Sequence, residues 1–496
     1  MCGGPGLGIH PLKVDNVATG VRAAVIQVDH VRASVLGLGR EGLALTRFLC
    51  ERGATVTVSD RKTEGELALA LKSLEGLPAT YLLGGHPLEL LDCDVLFASP
   101  GVPLDSAIIA EARRRGVQMS SESRLFGRLC PATIVGVTGS SGKTTTVTLI
   151  GEMLKGASRR VHVGGNIGQP LLLRLPTIAA GDMVVMELSS FQLSFWGPDL
   201  DAEPHQELRT PLYPAGGFSP AIGVVLNITP NHLDRHPTMD DYVAAKAKIL
   251  EYQKPEDHAI LNLDDQMAAS LSALTPARVS YFSLHKAVAE GAFLKGDELV
   301  LCHDGKESLI CAVDDVRLKG RHNIANLLAA CATASLLGVE VEEMAAVATT
   351  FGGVEHRLEA VRAVDGVWYF NDSIATTPER AVAALRSFTE PVVLLAGGRD
   401  KHLPWTEWAQ VVSERAAGVV LFGEAGPMIE SVLVGMGAKT PPHWRTGGLA
   451  DAVAKARDVA KPGQVVLFSP GGTSFDAFRD FVERGETFKL LVHELV

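Results

Sequence analysis

The chain has 496 residues, 46% of them apolar and 21% charged, and a formal charge of −11. Its length suggests about three domains of ordinary size, its composition excludes wholesale disorder, and its acidic balance argues against a nucleic acid or an anionic membrane as the main partner while leaving room for small anions at a local basic site. The seven cysteines form no C-x-x-C pair and read as reduced thiols in a cytoplasmic protein, the first 30 residues lack the basic start and apolar core of a signal peptide, and no apolar run reaches the ~18 residues needed for membrane insertion.

Residues 1–30 read as a loose N-terminal extension. In RASVLGLGREGLALTRFLCERGATVTVSD (32–60) a strand ends at Gly37, a helix pattern runs to Cys50 and a second strand ends at Asp60, which is a βαβ unit. DVLFASPGVP (94–103) is a further strand, and this first, Rossmann-like domain is placed at 31–128. ATIVGVTGSSGKTTTVTLIGEML (132–154) opens a second strand–loop–helix series, with strands at 183–190, 221–229 and 258–265 and a helix over 240–253. Such alternation implies a largely parallel sheet. Residues 196–219, rich in Pro, Gly and charge, read as a surface insertion, and 279–313 as a small patch of short strands. A helix over 323–338 closes a central, P-loop ATPase-like domain at 129–352. Strands at 366–372, 391–398, 418–423 and 464–472 make a third, Rossmann-like α/β domain at 353–496.

The stretch GVTGSSGKTTT (136–146) resembles a phosphate-binding loop, but Val137 stands where the general spacing G-x-x-x-x-G-K-[ST] has its first glycine. A strand feeding Gly139, Ser140, Ser141 and Gly142 into a helix that begins Lys143-Thr144-Thr145 still aims backbone N–H groups at one point, an anion site. Lys143 can reach outer phosphates and Thr144 can hold Mg²⁺. GLGREG (37–42), with Gly37, Gly39 and Gly42, is followed by Asp60 at the next strand end. That geometry suits a dinucleotide or any other diphosphate, a UDP-sugar included. Glu187 closes a buried strand, where open α/β sheets bind ligands; it suits a metal or simply faces water. His232 follows another strand end, while His236 reads as a surface residue. Lys246, on a helix, is by itself a solvated charge. Asn323 and Asn326, three apart, share a helix face and could cap it or meet a purine. Arg357 and Asp372 suit a ribose and phosphates, or a surface salt bridge.

In this order the motifs resemble the Mur ligases, the ATP-dependent amide-forming enzymes of peptidoglycan precursor synthesis. The family loop T-G-[ST]-x-G-K-[ST]-[ST] is matched throughout by TGSSGKTT (138–145). GGNIGQPLL, ELSSFQL, LNITPNHLDRH, AAKAKI, GRHNIAN, HRLE, NDSIAT and SFDAFRDFVERGETF follow in register. The resemblance implies that residues 139–145, Asn323, Asn326, Arg357 and Asp372 bind ATP, and that Thr144, Glu187, His232 and Lys246 hold two Mg²⁺ ions, with Lys246 carried as a carbamate. Lys143, Glu187, His232, Lys246 and Asn166 would be catalytic. Gly37, Gly39, Gly42, Asp60, Ser99, Pro100, Gly101, Asn166, Ser189 and Gln192 would hold the UDP substrate. Thr376, Lys401, Ser474 and Phe481 would line an amino-acid pocket.

The members it is most similar to join D-glutamate to UDP-N-acetylmuramoyl-L-alanine through an acyl phosphate, so the implied partners are those two molecules and ATP, acting on a monomer. One departure stands out: where many relatives have N-D-S-K-A-T, this chain has Ile374, and one positive charge near the amino acid is missing. Also open are a related ligase using L-glutamate or another amino acid, an NAD-dependent dehydrogenase built on GLGREG, and a non-catalytic UDP-sugar-binding protein.

Overall fold

The computed structural model describes residues 28–495 except 29, 198–216, 231–234, 319, 402 and 438–439. It divides into two compact units, one ending at Phe351 and one starting at Gly352.

The first unit holds two sheets. One has five parallel strands in the order Ala79–Leu83, Thr55–Asp60, Arg32–Leu36, Val95–Ala98, Met119–Ser120. The adjoining strands Arg32–Leu36, beyond its exposed first residue, and Val95–Ala98 are buried on both faces, as a parallel sheet covered by helices requires. The turn after Arg32–Leu36 shows why its glycines are there. A Cβ on Gly42 would lie 1.9 Å from the Gly37 carbonyl oxygen, so only glycine lets the helix Arg40–Cys50 approach the strand end this closely.

The other sheet has nine strands, in the order Lys306–Ala312, Glu298–His303, Gly291–Lys295, Arg278–Ser283, His258–Asn262, Ile222–Val225, Thr133–Thr138, Met183–Glu187, Val161–Gly165. Six strands from Val161–Gly165 to Arg278–Ser283, and then Gly291–Lys295, pair in parallel; only the last two pairings are antiparallel. The small patch read at 279–313 is thus the edge of the main sheet. The helices Lys143–Gly156 and Arg321–Leu336 pack against one of its faces through a shared apolar core.

In the second unit six strands run in the order Glu359–Val364, Val367–Asn371, Val465–Gly471, Val392–Gly397, Ala416–Phe422, His443–Arg445, all parallel except the first pair.

Two sequence readings change at their edges. Trp196, taken as the start of a surface insertion, is fully buried and donates its indole N–H to Ser123 Oγ at 3.1 Å. Phe218 packs on it from the other side of the segment, ring centroids 5.0 Å apart; 198–216 lie outside the described residues. The extension read at 1–30 also lies outside them, apart from His30 and a buried Val28. Among the described residues no helix is long and apolar enough to cross a membrane, and the six described cysteines are free.

Candidate active site

The strand Thr133–Thr138 delivers the loop Gly139–Gly142 into the helix Lys143–Gly156. Gly142 sits at φ +81°, where an L side chain is strained. A Cβ there would also fall 2.2 Å from Asn326 Oδ1, so Asn326 lies against the loop. Asn326 is buried and donates to Asn323 Oδ1 at 3.3 Å. The two asparagines therefore share a face next to the phosphate loop. The loop is braced from the neighbouring strand end. Ser140 N donates to Asn227 O and Ser141 N to Asn227 Oδ1, both at 2.9 Å. Lys143 folds back so that Nζ donates to Gly139 O at 2.8 Å.

Glu187 ends the strand Met183–Glu187 and is 3% exposed. Its Oε2 accepts from Thr144 Oγ1 at 2.6 Å and its Oε1 from Asn166 Nδ2 at 2.8 Å. A strand-end carboxylate facing water is excluded. Lys246, on the helix Met239–Glu251, is 1% exposed rather than solvated. Its Nζ donates to Gly139 O at 2.9 Å and lies 4.7 Å from the centre of the Tyr242 ring. Burial first, and then the charge of Lys143, push the Lys246 amine well below the ordinary lysine range. His232 lies outside the described residues. The surface reading of His236 is wrong. It is 2% exposed, meets Ser190 Oγ at 3.0 Å, and packs between Phe191 and Tyr242 with ring centroids 5.4 and 5.3 Å away.

A cleft of about 650 Å³ opens at the ends of the five-stranded sheet. Gly37, Gly39, Asp60, Ser99, Pro100, Gly101 and Asn166 line it together. Asp60 holds the turn in shape, accepting from Leu38 N at 2.7 Å and Lys62 N at 2.9 Å, and Ser99 Oγ donates to Gly37 O at 2.9 Å. Gly42 serves the helix contact instead of the lining. Ser189 and Gln192 are not in the lining either. They form a capping box on the short helix Ser190–Leu193. Gln192 is fully buried and donates Nε2 to Glu41 Oε1 at 2.7 Å. Burial pushes the Glu41 carboxyl up to about 7; burial and then the neighbouring Glu41 push Glu122 up to about 8. Arg40 ties the cleft to the nine-stranded sheet, donating to Gly168 O at 2.6 Å and to Asn166 O at 3.1 Å.

In the second unit, Asp372 is buried and accepts from Ser469 Oγ at 2.7 Å and Leu358 N at 3.3 Å. Burial pushes it up to about 7 against those bonds and the nearby Arg357. Lys401 Nζ meets Thr376 Oγ1 at 3.4 Å. Ser474 is buried, and Phe481 begins the helix Phe481–Glu494. The joint between these pieces is Arg484, fully buried. It donates to Ser373 O at 2.8 Å, Ser373 Oγ at 3.1 Å and Gly472 O at 3.0 Å. It therefore pins the loop carrying Thr376 to the loop carrying Ser474. Sequence reasoning missed Arg484 and Asn227. Asn227 could have been found as the first polar residue beyond an apolar strand; Arg484 left no local signal.

A glycine loop between a parallel strand and a helix, beside a second glycine-turn cleft, defines an α/β nucleotide-binding protein. Family models match three stretches: "Mur ligase MurD-like, N-terminal domain" over 31–121, "Mur ligase middle domain" over 137–205 and 206–334, and "Mur ligase, glutamate ligase domain" over 356–472. The chain belongs to the Mur ligase family. It is 43% identical over 467 residues to the UDP-N-acetylmuramoylalanine–D-glutamate ligase of Symbiobacterium thermophilum, covering 94% of this chain and 98% of that one. The ligase of the same name from Pelotomaculum thermopropionicum is 41% identical over 462 residues, with 93% and 97% covered. Among solved structures, the UDP-N-acetylmuramate-alanine ligase MurC of Thermotoga maritima shares the fold with a TM-score of 0.50 at 20% identity, covering 94% of this chain and 99% of that one. MurF from Acinetobacter baumannii does so with 0.51 at 15%, with 94% of each chain covered.

Proposed function

We propose that this chain is an ATP-dependent ligase that joins the carboxylate of UDP-N-acetylmuramoyl-L-alanine to the amine of D-glutamate, releasing ADP and phosphate, in peptidoglycan precursor synthesis. The observation that carries the reading is the contact series Thr144–Glu187–Asn166. Thr144 belongs to the phosphate loop, Asn166 lines the cleft at the five-stranded sheet, and Glu187 bonds to both. Phosphorylating a carboxylate needs that juxtaposition of two anionic substrates. The names of the relatives, which span nearly the whole chain, supply the substrates.

In this reading residues 31–128 take the UDP substrate, 129–352 take ATP and 353–496 take the amino acid. Gly37, Gly39, Asp60 and Ser99-Pro100-Gly101 hold the UDP part. The loop 139–145 cradles the phosphates, Asn323 and Asn326 face the adenine, and Arg357 and Asp372 serve the nucleotide. The substrate carboxylate attacks the γ-phosphate, giving an acyl phosphate and ADP. Lys143, released from Gly139 O, offsets the charge that gathers there. The glutamate amine then attacks the acyl carbon, and the tetrahedral adduct collapses to amide and phosphate. Thr376, Lys401, Ser474 and Phe481 hold the glutamate.

The oxygens of Glu187 and Thr144 at one point suit Mg²⁺, a hard cation that prefers oxygen; when bound, it supplies charge neutralisation between the phosphates. His232 and Lys246 complete a set for two ions. Burial makes the Lys246 amine easier to deprotonate, and a neutral amine is the form that adds CO₂, losing one proton to become an anionic carbamate able to face a cation. The enzyme acts as a cytoplasmic monomer without nucleic acid.

The test is incubation with ATP, Mg²⁺, UDP-N-acetylmuramoyl-L-alanine and radiolabelled D- or L-glutamate. A labelled UDP-muramoyl dipeptide with the D isomer supports the reading. Product only with L-glutamate or another amino acid moves it to a sibling ligase, and no product with any amino acid overturns it.

A further inference from the structure

The loop 373–376 of the second unit is surrounded by three cations. Arg484 bonds to Ser373. Lys401 meets Thr376. Arg380, exposed on the helix Pro378–Arg386, donates Nη1 to the carbonyl of Ile374 at 3.3 Å. Other cations of this unit have acidic partners: Arg386 pairs with Glu407 at 3.1 Å and Arg399 with Glu424 at 2.6 Å. Among the described residues none of the three around the loop is in a salt bridge. The acids nearby are bonded elsewhere: buried Asp372, which Arg380 acts on from a distance, accepts from Ser469 Oγ and Leu358 N. Asp400 accepts from Trp405 Nε1 at 3.0 Å, and Asp476, which acts on Arg484 from further off, accepts from Glu424 N at 3.2 Å. Arg380 and Lys401 sense each other, since Arg380 and Arg484 join burial in lowering the Lys401 amine.

Like charges held together without a salt-bridge partner repel, and an anion placed between them relieves the repulsion. One lysine suffices for a monocarboxylate. Two exposed cations flanking one loop suit a dicarboxylate, whose two charges need separate partners. The apolar side chain of Ile374 offers no charge, and the guanidinium docked on its backbone does.

We propose that Arg380 is a specificity residue for the amino-acid substrate, pairing with one carboxylate of a dicarboxylic amino acid while Lys401, beside Thr376, pairs with the other. This rests on the ligase reading above. In steady-state assays Arg380→Gln should raise the KM for D-glutamate at least tenfold and leave the KM values for ATP and the UDP substrate within about twofold, while the preference for D-glutamate over D-glutamine shrinks by a similar factor. Arg380→Lys should keep most of the preference, and Ile374→Lys in the Arg380→Gln background should restore part of it. The unchanged ATP KM reports that the variants are folded, and Arg380→Met, which removes the charge in the same way, carries the comparison if Arg380→Gln is not. A wild-type enzyme active on D-glutamate with an Arg380→Gln KM within twofold of wild type overturns this inference and spares the ligase reading. A wild-type enzyme inactive on every amino acid overturns both.

Discussion

Thr144 Oγ1 donates a 2.6 Å hydrogen bond to Oε2 of Glu187, joining the first turn of the phosphate-loop helix to the end of a neighbouring strand. The other oxygen of Glu187 is held by Asn166, so the carboxylate is fixed at both ends before any cation arrives. Glu187→Gln keeps the shape and removes the charge. Metal-ion charge stabilisation is worth several kcal/mol, so kcat should fall by about a thousandfold or more, with the thermal midpoint nearly unchanged. A loss under tenfold would remove Glu187 from the metal set.

Lys246 is expected to trade stability for function. Its folded-state pKa is lowered, so the folded protein gives up a proton that the unfolded chain keeps until about pH 10.5. The stability cost is therefore present at neutral pH, shrinks as pH rises above the lowered folded pKa, and is gone above about 10.5. Lys246→Met should raise the thermal midpoint at pH 7 and abolish activity, with the stability gap closing in alkaline buffer. Lys246→Ala should regain some activity with added short carboxylates, and wild-type activity should drop in CO₂-depleted buffer. Absence of both effects would count against the carbamate.

Asp372, raised to about 7, behaves in the opposite sense. The folded state holds a proton that the unfolded carboxyl releases near its ordinary value, so its stabilising effect is complete at low pH and is lost as pH climbs from about 4 through about 7. At about 1.4 kcal/mol for each tenfold change in proton affinity, a few kcal/mol are involved. Asp372→Asn should flatten the decline of the thermal midpoint between pH 5 and 8 and stabilise the protein at the upper end, while ATP turnover falls. Glu41→Gln, whose carboxyl is also raised to about 7, should flatten the same decline. Parallel curves for wild type and both variants would refute the assignment.

Gly142 and Asn326 should be coupled. Gly142→Ala places a methyl 2.2 Å from Asn326 Oδ1 at a backbone angle of +81°, which costs about 1–2 kcal/mol in backbone strain alone. The KM for ATP should rise at least tenfold. Asn326→Ala removes the obstacle, so the double variant should bind ATP better than the sum of the single effects allows. Strict additivity would show that the two do not touch.

The sequence made some of this legible and hid the rest for physical reasons. The glycine loop and the strand–helix alternation are local patterns, and the strand Thr133–Thr138 and the helix Met239–Glu251 lie close to where periodicity puts them. The strands Met119–Ser120 and His443–Arg445 escaped because they are two- and three-residue sheet edges with too little pattern to read. His236 was misjudged because its neighbours in sequence are charged, whereas its burial comes from Phe191 and Tyr242. For Lys246 the helix was readable, but the depth at which the helix sits was not. Arg380 carries no signal of its own in the sequence; what marks it is the carbonyl of Ile374 and the amine of Lys401 near it.

The bracing of the phosphate loop bears on how the protein is made. Its strand, Thr133–Thr138, is flanked in the sheet by Met183–Glu187 and Ile222–Val225, and the loop itself leans on Asn227. None of those neighbours exists when the loop leaves the ribosome. A nascent chain shorter than about this point has the whole signature but no walls to hold it, and chain elongation is slow beside local collapse. Nucleotide binding thus comes late in synthesis, as a certificate that the centre of the sheet has been assembled, and a short peptide carrying TGSSGKTT alone will not bind ATP.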